Sequence, residues 1–189
     1  MPLTPVGITG ALIPALTATG MLGTGMPQFA AGVAAGVMFW IGSLTVTTVD
    51  VGTYGAGAGL APCVIPPPLL LTGMLTSFPA TGHLGAMTAL FATGIANGLT
   101  SAFLQGLIST VHPTVGVGTA TCTFPGPSAI PSMIAGFKSV GLVGLMTEAT
   151  ATAVGMGIDI GFGGFIIPIP IVGPASTLGS SGTGTGKLV

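Results

Sequence analysis

Charge is what this chain has least of. Of its 189 residues two are Lys, none is Arg and three are Asp or Glu, so 3% carry a full charge. A soluble small domain usually presents a surface about 25–35% charged, which argues against a freely soluble lone monomer. Lys138 and Lys187 are too few to displace counterions from a phosphate backbone, which excludes nucleic-acid binding. Disorder is excluded from the other side: 49% of residues are apolar and mean hydropathy is +0.97, whereas a disordered chain combines low hydrophobicity with high net charge. The chain must therefore be buried, in lipid or among copies of itself and its partners.

Cysteine is almost as scarce. Cys63 and Cys122 stand in no CxxC or CxH spacing, and two thiols do not make a zinc site. Two readings of them stand: reduced core residues, or one disulfide tying two equivalent loops. The amino terminus lacks the basic region of a secretory signal, and Pro2 and Pro5 interrupt it before an apolar run forms.

Catalytic constellations are missing too. His83 and His112 occupy non-equivalent places, and only Asp50, Glu148 and Asp159 could assist them at a metal. No serine sits in a GxSxG elbow. Gly55-Ala-Gly57-Ala-Gly59 lacks the GxGxxG order of a dinucleotide loop, and Gly186-Lys187 is followed by Leu188 where a phosphate loop needs Ser or Thr. The expectation is a protein that is not an enzyme and takes no cofactor or metal.

What is abundant is glycine and proline, 34 and 16 residues, interleaved with Val, Ile, Leu, Phe and Met. They fall in an internal repeat. Phe29-Ala-Ala-Gly32-Val-Ala-Ala-Gly36 recurs as Phe91-Ala-Thr-Gly94-Ile-Ala-Asn-Gly98, at an offset of 62. Gly20-Met-Leu-Gly23 matches Gly82-His-Leu-Gly85, and Thr48-Val49-Asp50 matches Thr110-Val111-His112, at the same offset. Cys63 meets Cys122 and Met87-Thr88 meets Met146-Thr147, both at 59. A more divergent copy starts at Gly141-Leu-Val-Gly144, with Ala153 and Gly157 as its small pair. The chain thus divides into a lead-in, 1–19, a first repeat, 20–81, a second, 82–140, and a third with a Gly/Thr-rich tail, 141–189.

The expected fold class is α+β. Each unit of about sixty residues reads as an apolar small-residue helix, a short strand, a Gly-rich loop, a Pro-rich crossing and a short helix. Pro27–Ser43 and Thr88–Ser109 are the predicted long helices, Leu44–Val51 and Ile108–Val111 the strands. Gly52–Gly59, Gly116–Gly118 and Gly182–Gly186 are the predicted loops; Pro113 confines its strand to an edge or a turn.

Gly32/Gly36, Gly94/Gly98 and Ala153/Gly157 are the helix-packing candidates. Glycine at i, i+4 costs a helix about 1 kcal/mol each relative to Ala, so another backbone must pack there. GxxxG serves that purpose in lipid and in a dry protein contact alike. Against lipid, Trp40 lies mid-span, and no Lys or Arg flanks the spans 29–49 and 84–111. Buried charges need partners, so Lys138 or Lys187 is expected to pair with Glu148, Asp159 or Asp50.

The FAxGIAxG-type helices, the Thr48-Val-Asp-Val-Gly-Thr53 strand end and the Gly182–Leu188 tail together resemble small repeat-bearing structural proteins of tailed-bacteriophage virions. The resemblance covers most of the chain in style, through short motifs. It implies a virion location after assembly in the host cytoplasm, a place in the tail or baseplate, and copies of itself and other virion proteins as partners. The expected function is a non-enzymatic structural subunit of a homo-oligomeric assembly. The alternatives are a multi-pass membrane protein with GxxxG-packed helices, and a small-molecule binding module with hydrophobic pockets between repeats.

Overall fold

Thr4 starts the first helix. Its hydroxyl accepts the Gly7 N–H at 3.2 Å, and Pro5 takes the first helical position, where a missing N–H costs nothing. In the computed structural model the backbone is described for residues 4–43, 45–53, 56–62, 67–104, 107–114, 117–123, 129–163, 169–172 and 182–187, and side chains for 4–42, 68–104 and 129–161. Six helices run α1 (Pro5–Ala18), α2 (Met26–Ser43), α3 (Pro67–Ala80), α4 (Thr88–Phe103), α5 (Ala129–Ser139) and α6 (Leu145–Gly163).

The helices pack in a closed ring. Each touches its two neighbours in chain order, and α6 returns to α1. The contacts α2–α3, α4–α5 and α6–α1 are the tight ones, because glycines face the partner helix in each. The core lies along these contacts, with Trp40, Phe78, Phe103 and Phe137 as its largest members. Trp40 and Phe103, near the ends of α2 and α4, bring their ring centroids to 4.6 Å.

Short helices reach long ones through three turns of one design. After α1 the Gly20 and Met21 N–H groups donate to Thr17 and Leu16; after α3 Gly82 and His83 donate to Pro79 and Phe78; after α5 Gly141 and Leu142 donate to Lys138 and Phe137. This double bond satisfies carbonyls that a helix end leaves open, and it needs a left-handed residue at its first position. Gly20, Gly82 and Gly141 supply it, with φ of 82°, 81° and 78°.

The α+β expectation is corrected. Among the residues described with their side chains there are six helices and no strand, and each core residue stands on a helix or a turn between helices. The physical reason is the helices' small-residue faces, which let helix backbones meet one another directly, so that among the described residues helices alone fill the core. The β-branched and glycine-rich segments pair among themselves instead. The backbones of β1 (Thr45–Thr53), β2 (Ala56–Pro62), β3 (Leu107–Thr114), β4 (Val117–Thr123), β5 (Ile169–Val172) and β6 (Gly182–Lys187) form a closed barrel, antiparallel at every pairing.

Three local expectations change with it. The stretch predicted helical to Ser109 ends at Phe103, and Leu107 opens β3. The predicted Gly-rich loops are largely strand, since β2, β4 and β6 take up most of their glycines. Glycine suits a strand where a second backbone comes close. Pro113 lies inside β3, at a register shift between Val111 and Thr114, where its missing N–H breaks no ladder.

Candidate functional site

The structure uses the predicted packing residues inside the chain. A Cβ built on Gly36 would stand 3.1 Å from the Met74 Cα, one on Gly98 2.8 Å from the Met133 Cα, and one on Gly157 2.8 Å from the Leu12 Cα. Gly94 faces the ring and the Cα of Phe137, Gly32 faces the ring of Phe78 and the Thr81 hydroxyl, and Ala153 is fully buried. The three seams are therefore equivalent: Met74, Met133 and Leu12 lie over one glycine position. Hydrogen bonds reinforce two of them. Ser77 Oγ donates to the Gly32 carbonyl at 2.7 Å, and Asn97 Nδ2 donates to Ser139 Oγ at 3.0 Å. Among the described residues no helix is long and apolar enough to cross a membrane.

Of the ion-pairing candidates, Lys138 and Glu148 come together, with Nζ 2.9 Å from Oε1. The pair spans the α5–α6 turn and is half-exposed. Lys138 stands in the last turn of α5 and Glu148 in the first turn of α6, where each charge also opposes its helix dipole. Asp159 is half-buried on α6. Asp50 pairs through its backbone with Gly59 and Gly182, and Lys187 with Thr45; their side chains lie outside the described residues. Cys63 lies outside them altogether. Cys122 is described only as the backbone partner of Ile108, so the disulfide expectation falls outside the described residues. Among the described residues no three His, Cys, Asp or Glu side chains converge on one point.

The three turns join the short helices to the long ones at the same end of the ring, and each leaves large apolar residues exposed; Val6, Phe39, Leu104 and Ile160 are exposed toward the other ends of their helices. Leu22, Leu84 and Val143 follow the capped residues Met21, His83 and Leu142, and are 78%, 74% and 70% exposed. Leu145, Met146 and Met87 extend the apolar surface at the starts of α6 and α4. Beside the α1–α2 turn opens a cavity of about 300 Å³, lined on that side by Met21, Leu22, Met26 and Phe29 and on the other by His83, Phe91 and Met146. Phe29 and Phe91 meet edge to face at 6.0 Å, and Thr150 Oγ1 lies 3.0 Å from Met21 Sδ, so α2, α4 and α6 all adjoin it.

His83 is held by packing. Its ring lies 5.3 Å from that of Phe29 and 5.2 Å from that of Phe78. Loss of hydration in this setting lowers its pKa from 6.5. A hydrophobic contact between this turn position and the residue five places earlier commonly accompanies such a helix end, and His83 on Phe78 is that contact.

Sequence reasoning found the Gly-x-Leu-Gly landmarks but not their exposed middle residues. The available signal was an apolar residue between two glycines in each turn, where turns are usually polar. Comparison with protein-family models, with curated proteins and with solved structures finds no match to this chain.

Proposed function

We propose that the chain is a non-enzymatic structural subunit of a larger protein assembly, in the tail or baseplate of a bacteriophage virion. Copies of itself and other virion proteins cover its apolar faces there. The observation that carries this reading is the open apolar end of the helical ring, with Leu22, Leu84, Val143 and Leu145 all at least 70% exposed. Large apolar residues left this open on three successive turns suit contact with another protein better than contact with water. With only five charged residues in the chain, contacts formed there desolvate little charge.

The membrane alternative drew on the GxxxG pairs. Those glycines are covered by α3 and α5 of the same chain, a packing that GxxxG serves in lipid and in a dry protein contact alike, so they do not decide between the two. Fractionation without detergent tests the choice. Recovery in large soluble particles supports the assembly; recovery only from detergent-extracted membranes overturns it.

A further inference from the structure

The three seams share their glycines but not their rings. Phe29 of α2 stacks on Phe78 of α3 at 5.5 Å, and Phe91 of α4 meets Phe137 of α5 edge to face at 5.7 Å. By the repeat offsets of 62 and 59, the corresponding pair of the third seam is Thr150 of α6 and Leu16 of α1. The α6–α1 seam thus lacks both rings. Met21 makes up part of the deficit, with Sδ 3.0 Å from Thr150 Oγ1. The cavity opens on Met21 and has Phe29, Phe91 and Met146 among its other walls.

The lining restricts what can occupy it. Among the described residues no Lys, Arg, Asp or Glu lines the cavity, so an ion would enter without a counter-charge. Two phenyl rings and three thioethers favour an aromatic guest, because rings pair edge to face and sulfur packs well at a ring edge. His83 is the one ionisable residue in the wall. Its ring touches Phe29 and Phe78 but makes no hydrogen bond to any described residue. The loss of hydration that lowers its pKa keeps it neutral near pH 7, with one nitrogen free to accept. Size sets the upper bound. A cavity of about 150 Å³ holds benzene, and this one is about 300 Å³, room for two fused rings.

We propose that the cavity beside the α1–α2 turn binds a neutral one- or two-ring aromatic molecule whose N–H or O–H donates to the His83 imidazole. The site goes beyond the structural-subunit reading and does not depend on it. Indole is the probe, since it has two fused rings and one N–H; 1-methylindole, which lacks the N–H, is the control. The full chain is labelled at its methionine methyls, titrated with each compound and followed by NMR.

Saturable shifts are expected at Met21, Met26 and Met146. Met74 and Met133, buried in the α2–α3 and α4–α5 seams, and Met87, exposed outside the cavity, should stay in place. Indole should bind about 3–10-fold more tightly than 1-methylindole, the worth of one hydrogen bond. His83→Phe keeps a ring against Phe29 and Phe78 but offers no nitrogen, so this preference should vanish. Met146→Trp, at a position 62% exposed, should narrow the cavity and weaken both compounds. No shift up to the solubility limit of indole overturns the site, as do equal shifts at Met87, which mark general adhesion to apolar surface. A preference for indole that survives His83→Phe overturns the hydrogen bond to the imidazole.

Discussion

Gly136 of α5 lies so close to Gly98 of α4 that a Cβ added to Gly136 would stand 2.6 Å from the Gly98 Cα. Backbone cannot rotate aside as a side chain can, so the α4–α5 seam must open to admit a methyl group. Gly136→Ala is expected to cost about 1–3 kcal/mol. Gly10→Ala is the contrast: Gly10 lies inside α1, and a Cβ added there would meet nothing within 4 Å, so the change raises stability by about 0.5–1 kcal/mol through helix propensity. Urea midpoints should move in opposite directions. Two shifts of the same sign would show that the seam is looser than described.

Gly82 separates conformation from crowding. Its φ is +81°, and a Cβ there would meet only Gln28 Cγ at 3.8 Å. Gly82→Ala is therefore expected to lose about 1–2 kcal/mol through the left-handed backbone alone. Gly82→Asn should lose less, since Asn tolerates that region. Thermal melts of the two variants decide it, and equal losses would point to a steric cause.

The seams and the turns were legible in the sequence for physical reasons. Gly32/Gly36 and Gly94/Gly98 are too costly in a helix unless something packs there, and the paired Gly-x-Leu-Gly turns carry a backbone requirement that few residues meet. The partition between helix and strand was less legible. Ala56-Gly57-Ala58-Gly59 carries only two methyl groups, too little to mark a buried face, so its pairing as part of β2 depends on β1 and β3. The partner of α6 was illegible because Leu12 lies 145 positions before Gly157, beyond any local pattern. Exposure of Leu22, Leu84 and Val143 is likewise a tertiary property.

Equivalent seams should fail equivalently. Met74, Met133 and Leu12 are each fully buried over a glycine of the facing helix. Met74→Ala, Met133→Ala and Leu12→Ala are each expected to cost about 2–5 kcal/mol. Denaturant titrations compare them directly. A Leu12→Ala loss well below the other two would mean that α1 closes the ring more loosely than α3 and α5 fill their places.

The Lys138–Glu148 bridge is half-exposed, and water competes for both ends. A double-mutant cycle with Lys138→Met and Glu148→Gln should give a coupling of about 0.2–1 kcal/mol, reduced in 1 M salt, where screening acts within about 3 Å. A coupling that is large and insensitive to salt would place the pair in a drier setting.

His83 should make stability depend on pH. Packing against Phe29 and Phe78 removes water from the ring and holds its folded pKa below 6.5. As pH falls, the unfolded chain takes up this proton first, near 6.5, and so gains free energy relative to the fold. The neutral ring's contribution is thus complete above about pH 6.5 and is lost as pH falls through the folded pKa. His83→Met places there the residue that the first repeat has at Met21, and it removes this dependence. The difference in urea midpoint between the parent chain and the variant, followed from pH 7.5 to pH 5, isolates His83 from His112 and the carboxylates. That difference should shift against the parent chain on the acid side; a constant difference would mean that the imidazole keeps its hydration.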